Sequence, residues 1–165
     1  TPSLTSWEDP AGFRFQYPTG ITMDNHPEDT QNYAHIELTS PTHPGKLIVW
    51  AKDPPPDKIG SPMVDVGKWV STQKRFAAGT IVDSTLGGQV AKKVRLTSSN
   101  ELITATIYDD LLVTIEVSLE DLPFWSGVHE TISTSFAFVP ATQSNAAGSE
   151  PSAAEVAADE EEVLQ

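Results

Sequence analysis

Three histidines lie close together in the sequence and could hold a metal ion: His26, His35 and His43. Four carboxylates stand among or beside them, namely Asp24, Glu28, Asp29 and Glu37. Imidazole nitrogens and carboxylate oxygens are donors that zinc and manganese take from proteins. The spacing matches no established ligand motif, however, and surface histidines that simply stand beside acids are the alternative interpretation.

Residues suited to covalent catalysis are scattered rather than grouped. No Gly-x-Ser-x-Gly elbow occurs in the chain. His129 follows Trp125 by one helical turn, on or beside the apolar stripe of a predicted helix, which favours a hydrogen bond within the helix packing over a role as a base. Asp109 and Asp110 fall in a predicted hairpin turn, where aspartate is favoured for local hydrogen bonding. We therefore expect a protein without enzymatic activity, and no cofactor is indicated.

A short basic cluster is formed by Lys92, Lys93 and Arg95. Strand alternation puts Lys93 and Arg95 on one face and Lys92 on the other. One interpretation is a solvated edge strand, in which lysines discourage pairing with another sheet. The other is a docking patch for an acidic partner, including the acidic tail of this same chain.

The overall charge limits the classes of partner. The chain has 165 residues, a formal net charge of −13 and no cysteine. An acidic protein is poorly suited to nucleic acid or to an anionic membrane surface, so no nucleic-acid partner is expected. The lack of cysteine excludes disulfides, thiol nucleophiles and thiolate-bound metals. No apolar stretch approaches the length of a transmembrane helix.

Composition divides the chain into a domain at residues 1–140 and a tail at residues 141–165. The tail carries six of the 23 acidic residues and no lysine, arginine or aromatic residue. Such a segment cannot bury enough apolar surface to offset its loss of conformational entropy, so we expect it to be disordered. Subtracting its six acids leaves 17 acids against 10 bases, which is a charge of about −7 on the domain.

The first half of the domain is predicted to be mostly strand. Phe13–Tyr17 and Tyr33–Thr39 alternate apolar and polar residues, as half-buried strands do. Lys46–Lys52 is apolar on both faces, which predicts a strand that is covered on both sides. The first ten residues are expected to be irregular, with Trp7 as an anchor.

The second half predicts a helix, a strand meander and a second helix. Ser61 and Pro62 provide an N-cap and a first-turn proline for the first helix, and Gly79 closes it. Short turns separate the three strands that follow: Gln89–Thr97, Glu101–Tyr108 and Leu111–Ser118. The second helix spans residues 121–134. This order predicts an α+β fold, an α/β/α sandwich around a central antiparallel sheet.

Both ends of the domain resemble one family. The opening Gly-Phe-x-Phe-x-Tyr-Pro is formed by residues 12–18, and the ending Trp-x-x-x-His-x-x-Ile-x-x-Ser-Phe by residues 125–136. Together with the element order, these motifs resemble the PsbP-like family, whose fold is shared with the Mog-type Ran-binding proteins. The resemblance covers residues 7–140, and its motifs are structural rather than catalytic.

The resemblance implies a non-enzymatic protein outside the cytoplasm: periplasmic, lumenal or on the cell surface. Plant and cyanobacterial members of the family are extrinsic lumenal proteins of photosystem II, and other bacterial members are secreted or lipid-anchored. This chain departs from the photosystem members, because Pro18-Thr19-Gly20-Ile21 replaces their Pro-Gly-Trp continuation and lysines are few. Since the chain begins at Thr1, a signal peptide or lipid anchor upstream is also expected.

Two functions therefore stay open. The first is a monomeric binding or assembly module that presents a surface to a protein partner, whether as a photosystem-type or as a lipoprotein accessory domain. The second is an accessory protein for a small ligand or a metal, using the region from His26 to His43.

Overall fold

The computed structural model describes residues 3–140, and the predicted disordered tail at 141–165 lies outside the described residues. The strands are β1 (Leu4–Asp9), β2 (Phe13–Pro18), β3 (Thr22–Asn25), β4 (Ala34–Thr39), β5 (Lys46–Lys52), β6 (Thr80–Leu86), β7 (Gln89–Leu96), β8 (Glu101–Tyr108), β9 (Leu111–Ser118) and β10 (Ala137–Phe138). The helices are α1 (Val66–Thr72) and α2 (Leu122–Ser135), and Lys74–Phe76 forms a short 3-10 turn. Helices and sheet together confirm the predicted α+β class.

Seven strands form one large antiparallel sheet in the order β3-β4-β5-β9-β8-β7-β6. The meander from β7 to β9 closes through tight turns, and both Asp109 and Asp110 adopt positive φ, as the two-residue hairpin predicted there requires. In the middle of the sheet, Trp50 of β5 lies opposite His35 of β4 and Thr114 of β9. This register decides which side chains meet on each face.

A second, three-stranded sheet joins the two ends of the domain. β2 lies between β1 and β10, all antiparallel. Phe13 and Phe15 of β2 are fully buried, and both rings stack on Phe136, at the end of α2, with centroid distances of 5.2 and 6.4 Å. The strand predicted from aromatic alternation is thus a core strand.

The small sheet and α2 together cover one face of the large sheet. Trp125 and Ile132 of α2 are fully buried there against β5 and β9. The Trp125 indole nitrogen donates a hydrogen bond of 2.6 Å to the carbonyl oxygen of Pro44. Burial of aromatic and aliphatic side chains on this scale supplies most of the drive for folding.

The opposite face of the large sheet is covered over only part of its width. α1 packs on β7 and β8. Trp69 and Val70 of α1 and Phe76 of the 3-10 turn form a small second core with strand residues such as Val94 and Ile103. With one helix on each face, the layers are those of the predicted α/β/α sandwich.

The coverage of β5 differs from the expectation. Leu47, Val49 and Ala51 are fully buried, whereas Ile48 and Trp50 on the other face are only partly buried. The reason is the length of α1, which has seven residues and packs mainly on β7 and β8. We call the α1-side face of β3, β4 and β5 the open half of the sheet.

α1 is shorter than predicted because a different residue caps it. Asp65 accepts hydrogen bonds from the amides of Gly67 and Lys68 at 2.8 and 3.3 Å, so the helix starts at Val66. Pro62 instead forms an isolated bridge with Pro56. Two strands were not among those predicted: β1 replaces the irregular lead-in, and β6 precedes the meander.

A histidine and aromatic cluster on the open half of the sheet

Three rings stack in a row on the open half of the sheet. The His26 ring lies 4.2 Å from the His35 ring, which lies 4.1 Å from the Trp50 ring. Register places His35 directly across from Trp50. His26 follows β3, and its backbone amide donates to the carbonyl oxygen of His35 at 3.0 Å. Two of the three histidines singled out from the sequence are therefore neighbours in space.

His26 also meets two carboxylates across the β3–β4 pair. Asp24 lies opposite Glu37 in the register. His26 Nε2 is 2.9 Å from Glu37 Oε1 and 3.4 Å from Asp24 Oδ2. One ligand atom from each of Asp24, His26 and Glu37 lies within 4.8 Å of the others. One nitrogen and two oxygens suit zinc or manganese, with positions left for water.

The electrostatics of this trio favour a protonated imidazole. Hydrogen bonds to Glu37 and then Glu28 raise the pKa of His26. The pKa of Glu37 is lowered by its hydrogen bond to His26 and by Lys46, whose Nζ lies 3.4 Å from its carboxylate. A metal ion would have to displace the proton from His26, because only the neutral imidazole is a ligand.

His35 is held by a neighbouring loop rather than by the trio. Its Nδ1 lies 2.9 Å from Asp29 Oδ2. The amide of the Asn32 side chain donates to the same carboxylate at 2.9 Å, and this is the leading cause that lowers the pKa of Asp29 to about 2. A cavity of about 380 Å³ opens beside His26 and His35, so solvent and small ions reach both rings.

His43 lies apart from the other two and has different partners. Its Nδ1 is 2.5 Å from Asp121 Oδ2, just before α2, and its ring stacks on Phe124 at 3.8 Å. His43 thus ties the loop after β4 to the start of α2. The structure brings together His26 and His35 from the sequence-predicted set and does not add His43 to them.

His129 is buried between α2 and β8. Its Nε2 lies 2.9 Å from Thr104 Oγ1, and Ser133 Oγ is 3.5 Å from Nδ1. Burial, followed by the nearby charge of Lys93, lowers the pKa of His129 to about 4. The imidazole is accordingly neutral at pH 7 and packs as a core hydrogen-bonding group.

A serine of α1 and a lysine of the following 3-10 turn have the spacing of a known catalytic pair. A Ser-x-x-Lys spacing, found in some acyl-transfer enzymes, runs from Ser71 to Lys74. The Ser71 hydroxyl donates to the carbonyl oxygen of Lys68 at 2.7 Å, as helical serines commonly do.

The basic cluster of β7 is divided between the two faces of the sheet. Lys92 pairs with Asp83 of β6, while Arg95 donates to the carbonyl oxygen of Leu96 and to the side chain of Asn100. Lys93 lines a groove beside α2. The three cations therefore do not form one continuous patch.

The sequence reasoning missed Trp50 and Lys46. Trp50 was assigned to a doubly covered strand, so its stacking face was not anticipated. Lys46 lies opposite Thr39 on β4 and reaches Glu37. The alternation of β5 already placed both residues on the face shared with His35, and only the extent of the helix cover was unknown.

The fold has a counterpart among solved structures. The solution structure of cyanobacterial PsbP from Synechocystis sp. PCC 6803 is similar to this chain with a TM-score of 0.54. The match covers 84% of this chain and 94% of that chain at 15% sequence identity. No protein-family profile and no curated protein matches the sequence. The PsbP-like fold predicted from the two end motifs is thereby confirmed, and at this identity the likeness concerns the fold alone.

Within the described residues, neither helix has the length and apolar character needed to cross a membrane.

Proposed function

We propose that this protein is a non-enzymatic accessory module of the PsbP type, which acts outside the cytoplasm by binding a protein partner. The fold supports this proposal, since cyanobacterial PsbP shares it. The binding surface is the open half of the large sheet.

The observation that carries the proposal is the partial exposure of Ile48 and Trp50 in the middle of a sheet. Central strands normally bury both faces or present polar residues to water. On β5 the uncovered face instead carries a large aliphatic and a large aromatic side chain, framed by His35, Glu37 and Lys46. An apolar centre with a charged rim is the composition of protein interfaces.

The charge of the chain defines the partner further. At −13 overall, the protein is attracted over long range to a basic surface and repelled by an acidic one. The partner is therefore a protein with a basic docking surface, and its association with this chain weakens as salt is raised.

The chemistry of the described residues agrees with a binding role. The one fully buried histidine of residues 3–140, His129, is neutral and tied to Thr104. The half-buried His26 is bridged by carboxylates that favour its protonated form, which is a poor base. A binding module needs neither group for catalysis.

Site-specific photo-crosslinking tests the proposal. A photoreactive amino acid in place of Ile48 should crosslink, in cells of the source organism, to one discrete protein of the extracytoplasmic fraction. The same amino acid in place of Glu130, on the exposed side of α2, is the matched control and should give no such product. Equal labelling from both positions, or a partner confined to the cytoplasm, would contradict the proposal.

A second candidate function is metal binding by Asp24, His26 and Glu37, favoured by the 4.8 Å grouping of their ligand atoms. Titration calorimetry with Zn²⁺ or Mn²⁺ should then show one site per chain. His26→Ala should abolish it, and His35→Ala should weaken it by removing the ring that stacks on His26. His43→Ala is the control that retains binding, and a wild-type protein without measurable heat at millimolar metal would rule the site out.

A further inference from the structure

A narrow groove lies next to the cluster, between the open half of the sheet and α1. Its volume is about 300 Å³, and two tryptophans line it, Trp50 from β5 and Trp69 from α1. Thr114 and Glu116 of β9 line it from the sheet. His35 and Thr114 flank Trp50 on opposite sides in the register, so the groove lies mainly on the β9 side of Trp50, and Asn32 joins it from the chain before β4.

The hydrogen bonding of the four tryptophans separates this groove from the rest of the molecule. The Trp7 indole donates to Asp9 at 3.1 Å, and the Trp125 indole donates to the carbonyl oxygen of Pro44 at 2.6 Å. Neither Trp50 nor Trp69 has an acceptor for its indole N–H within residues 3–140. Trp69 is only 5% exposed. Buried indole N–H groups are normally hydrogen-bonded, so Trp69 is an unpartnered donor among the residues that line the groove.

The polar lining adds further donors and one positive charge. Arg75 is neutralised by Glu116, at 2.7 Å between Nη2 and Oε2. Lys52, in contrast, has no ion pair among the described residues and leaves the lining with a net positive charge. The side-chain amides of Asn32 and Gln73 also line the groove. Each already donates one hydrogen bond, to Asp29 and to Thr72, and keeps its second N–H and its carbonyl oxygen for a ligand. The groove is therefore aromatic on its walls, rich in donors, and cationic at one end.

We propose that this groove binds a sugar ring that carries one carboxylate, a hexuronate unit. The C–H face of a pyranose packs on an indole, and its hydroxyls match the side-chain amides and Thr114. The carboxylate accepts a charge-assisted hydrogen bond from Lys52. Two alternative ligands fit less well. An uncharged hexose has no carboxylate for Lys52, and a flat aromatic acid has no hydroxyls for the side-chain amides. The volume is at the lower end of the range for ligand pockets, consistent with one ring.

The indole N–H signals of the protein provide the test. Four tryptophans give four signals in a ¹⁵N-correlated NMR spectrum, and Trp50→Phe identifies one groove signal by its disappearance. Titration with methyl β-glucuronide should shift the signals of Trp50 and Trp69 saturably and leave those of Trp7 and Trp125 in place. The uncharged methyl β-glucoside should bind about tenfold more weakly, the effect of losing one charge-assisted contact.

Two lysine variants test whether Lys52 recognises the carboxylate of the sugar. Lys52→Gln should abolish the preference for the glucuronide over the glucoside, whereas Lys93→Gln, on the opposite face of the sheet, should retain it. Absence of a selective shift at the highest soluble glucuronide concentration would overturn the proposal. Equal affinity for glucoside and glucuronide would overturn the role of the carboxylate, and stronger binding of benzoate than of glucuronide would overturn the sugar assignment.

Discussion

The two faces of the large sheet are built from the same strands and differ in the burial of their side chains and in the groups that those side chains contact. On the α2 side, β5 and β9 present residues such as Val49 and Ile115, all fully buried beneath α2 and the small sheet. On the α1 side, the residues that alternate with them include Trp50 and Glu116, which are partly exposed and in contact with rings and charges.

The difference teaches how one alternating strand can serve two purposes. The closed face buries its aromatic and aliphatic side chains completely, so it determines whether the domain folds. The open half retains large side chains in contact with water, so it is the part from which binding energy can be drawn. Substitutions on the two faces should consequently separate stability from recognition.

The largest expected effect comes from the closed face. Trp125→Ala should lower the free energy of unfolding by about 3–5 kcal/mol, because it removes a fully buried ring and leaves a cavity. Trp50→Ala, the counterpart on the open half, should cost only about 1 kcal/mol. Urea denaturation of both variants measures the contrast, and equal losses would show that the open half is part of the structural core.

A pH effect of nearly the same size should arise from His129. Its folded pKa of about 4 lies below the ordinary value of 6.5, so the unfolded chain binds the proton more tightly. The contribution of neutral His129 to the free energy of unfolding is fully present above pH 6.5. It decreases by about 3 kcal/mol as the pH falls toward 4.

The pH dependence should be measured against His129→Gln, which preserves a hydrogen-bonding group near Thr104. The difference in unfolding free energy between the two proteins isolates His129 from the other titrating groups. A difference that stays constant from pH 7 to pH 4 would mean that His129 binds its proton as readily in the folded protein as in the unfolded chain.

A smaller effect should be found where the two sheets meet. Gly87 and Gly88 both have positive φ, of 61° and 80°. A Cβ on Gly87 would lie 2.8 Å from the Phe138 ring, whereas a Cβ on Gly88 would meet nothing within 4 Å. Each alanine variant should cost about 1 kcal/mol for the backbone conformation. Gly87→Ala should cost roughly 1 kcal/mol more, and thermal unfolding that ranks Gly88→Ala as the less stable variant would refute this.

The smallest expected effect belongs to the α1 side of the sheet, beside the open half. Arg75→Gln breaks the ion pair with Glu116, but Arg75 is 47% exposed at its side chain, so the loss should stay below about 1 kcal/mol. The loss should also diminish in high salt. A loss above about 2 kcal/mol that persists at high salt would place Arg75 among the structural groups of the molecule.

Much of the fold is predictable from the sequence, because alternation records burial directly. The aromatic strand β2, the meander from β7 to β9 and the stripe of α2 were all recognised from it. The start of α1 was not, since Ser61 and Pro62 carry strong helix-start signals while the cap formed by Asp65 prevails. β6 was not predicted, because most of its residues are exposed on both faces and give no burial pattern.

The candidate site was predictable only in part. Asp24, His26 and Glu37 are close in sequence, and a short connection brings their strands together. His43 stands near them in sequence, but its partner Asp121 is 78 residues away, and such contacts leave no local signal. The groove between Trp50 and Trp69 could not be predicted either, because β9 and α1 are distant from β5 in the sequence and approach it only in the folded sheet.

The pairing of β2 with β10 has a consequence for the synthesis of the chain. Gln16 and Ser135 hydrogen-bond across 119 residues, and the amide of Val139 donates to the carbonyl oxygen of Gly12. Contacts of such separation form late, because the intervening chain must be closed first. During synthesis on the ribosome, β2 leaves the exit tunnel long before α2 and β10 do. Until then Phe13 and Phe15 lack their cover, and the nascent domain presents this aromatic strand to chaperones.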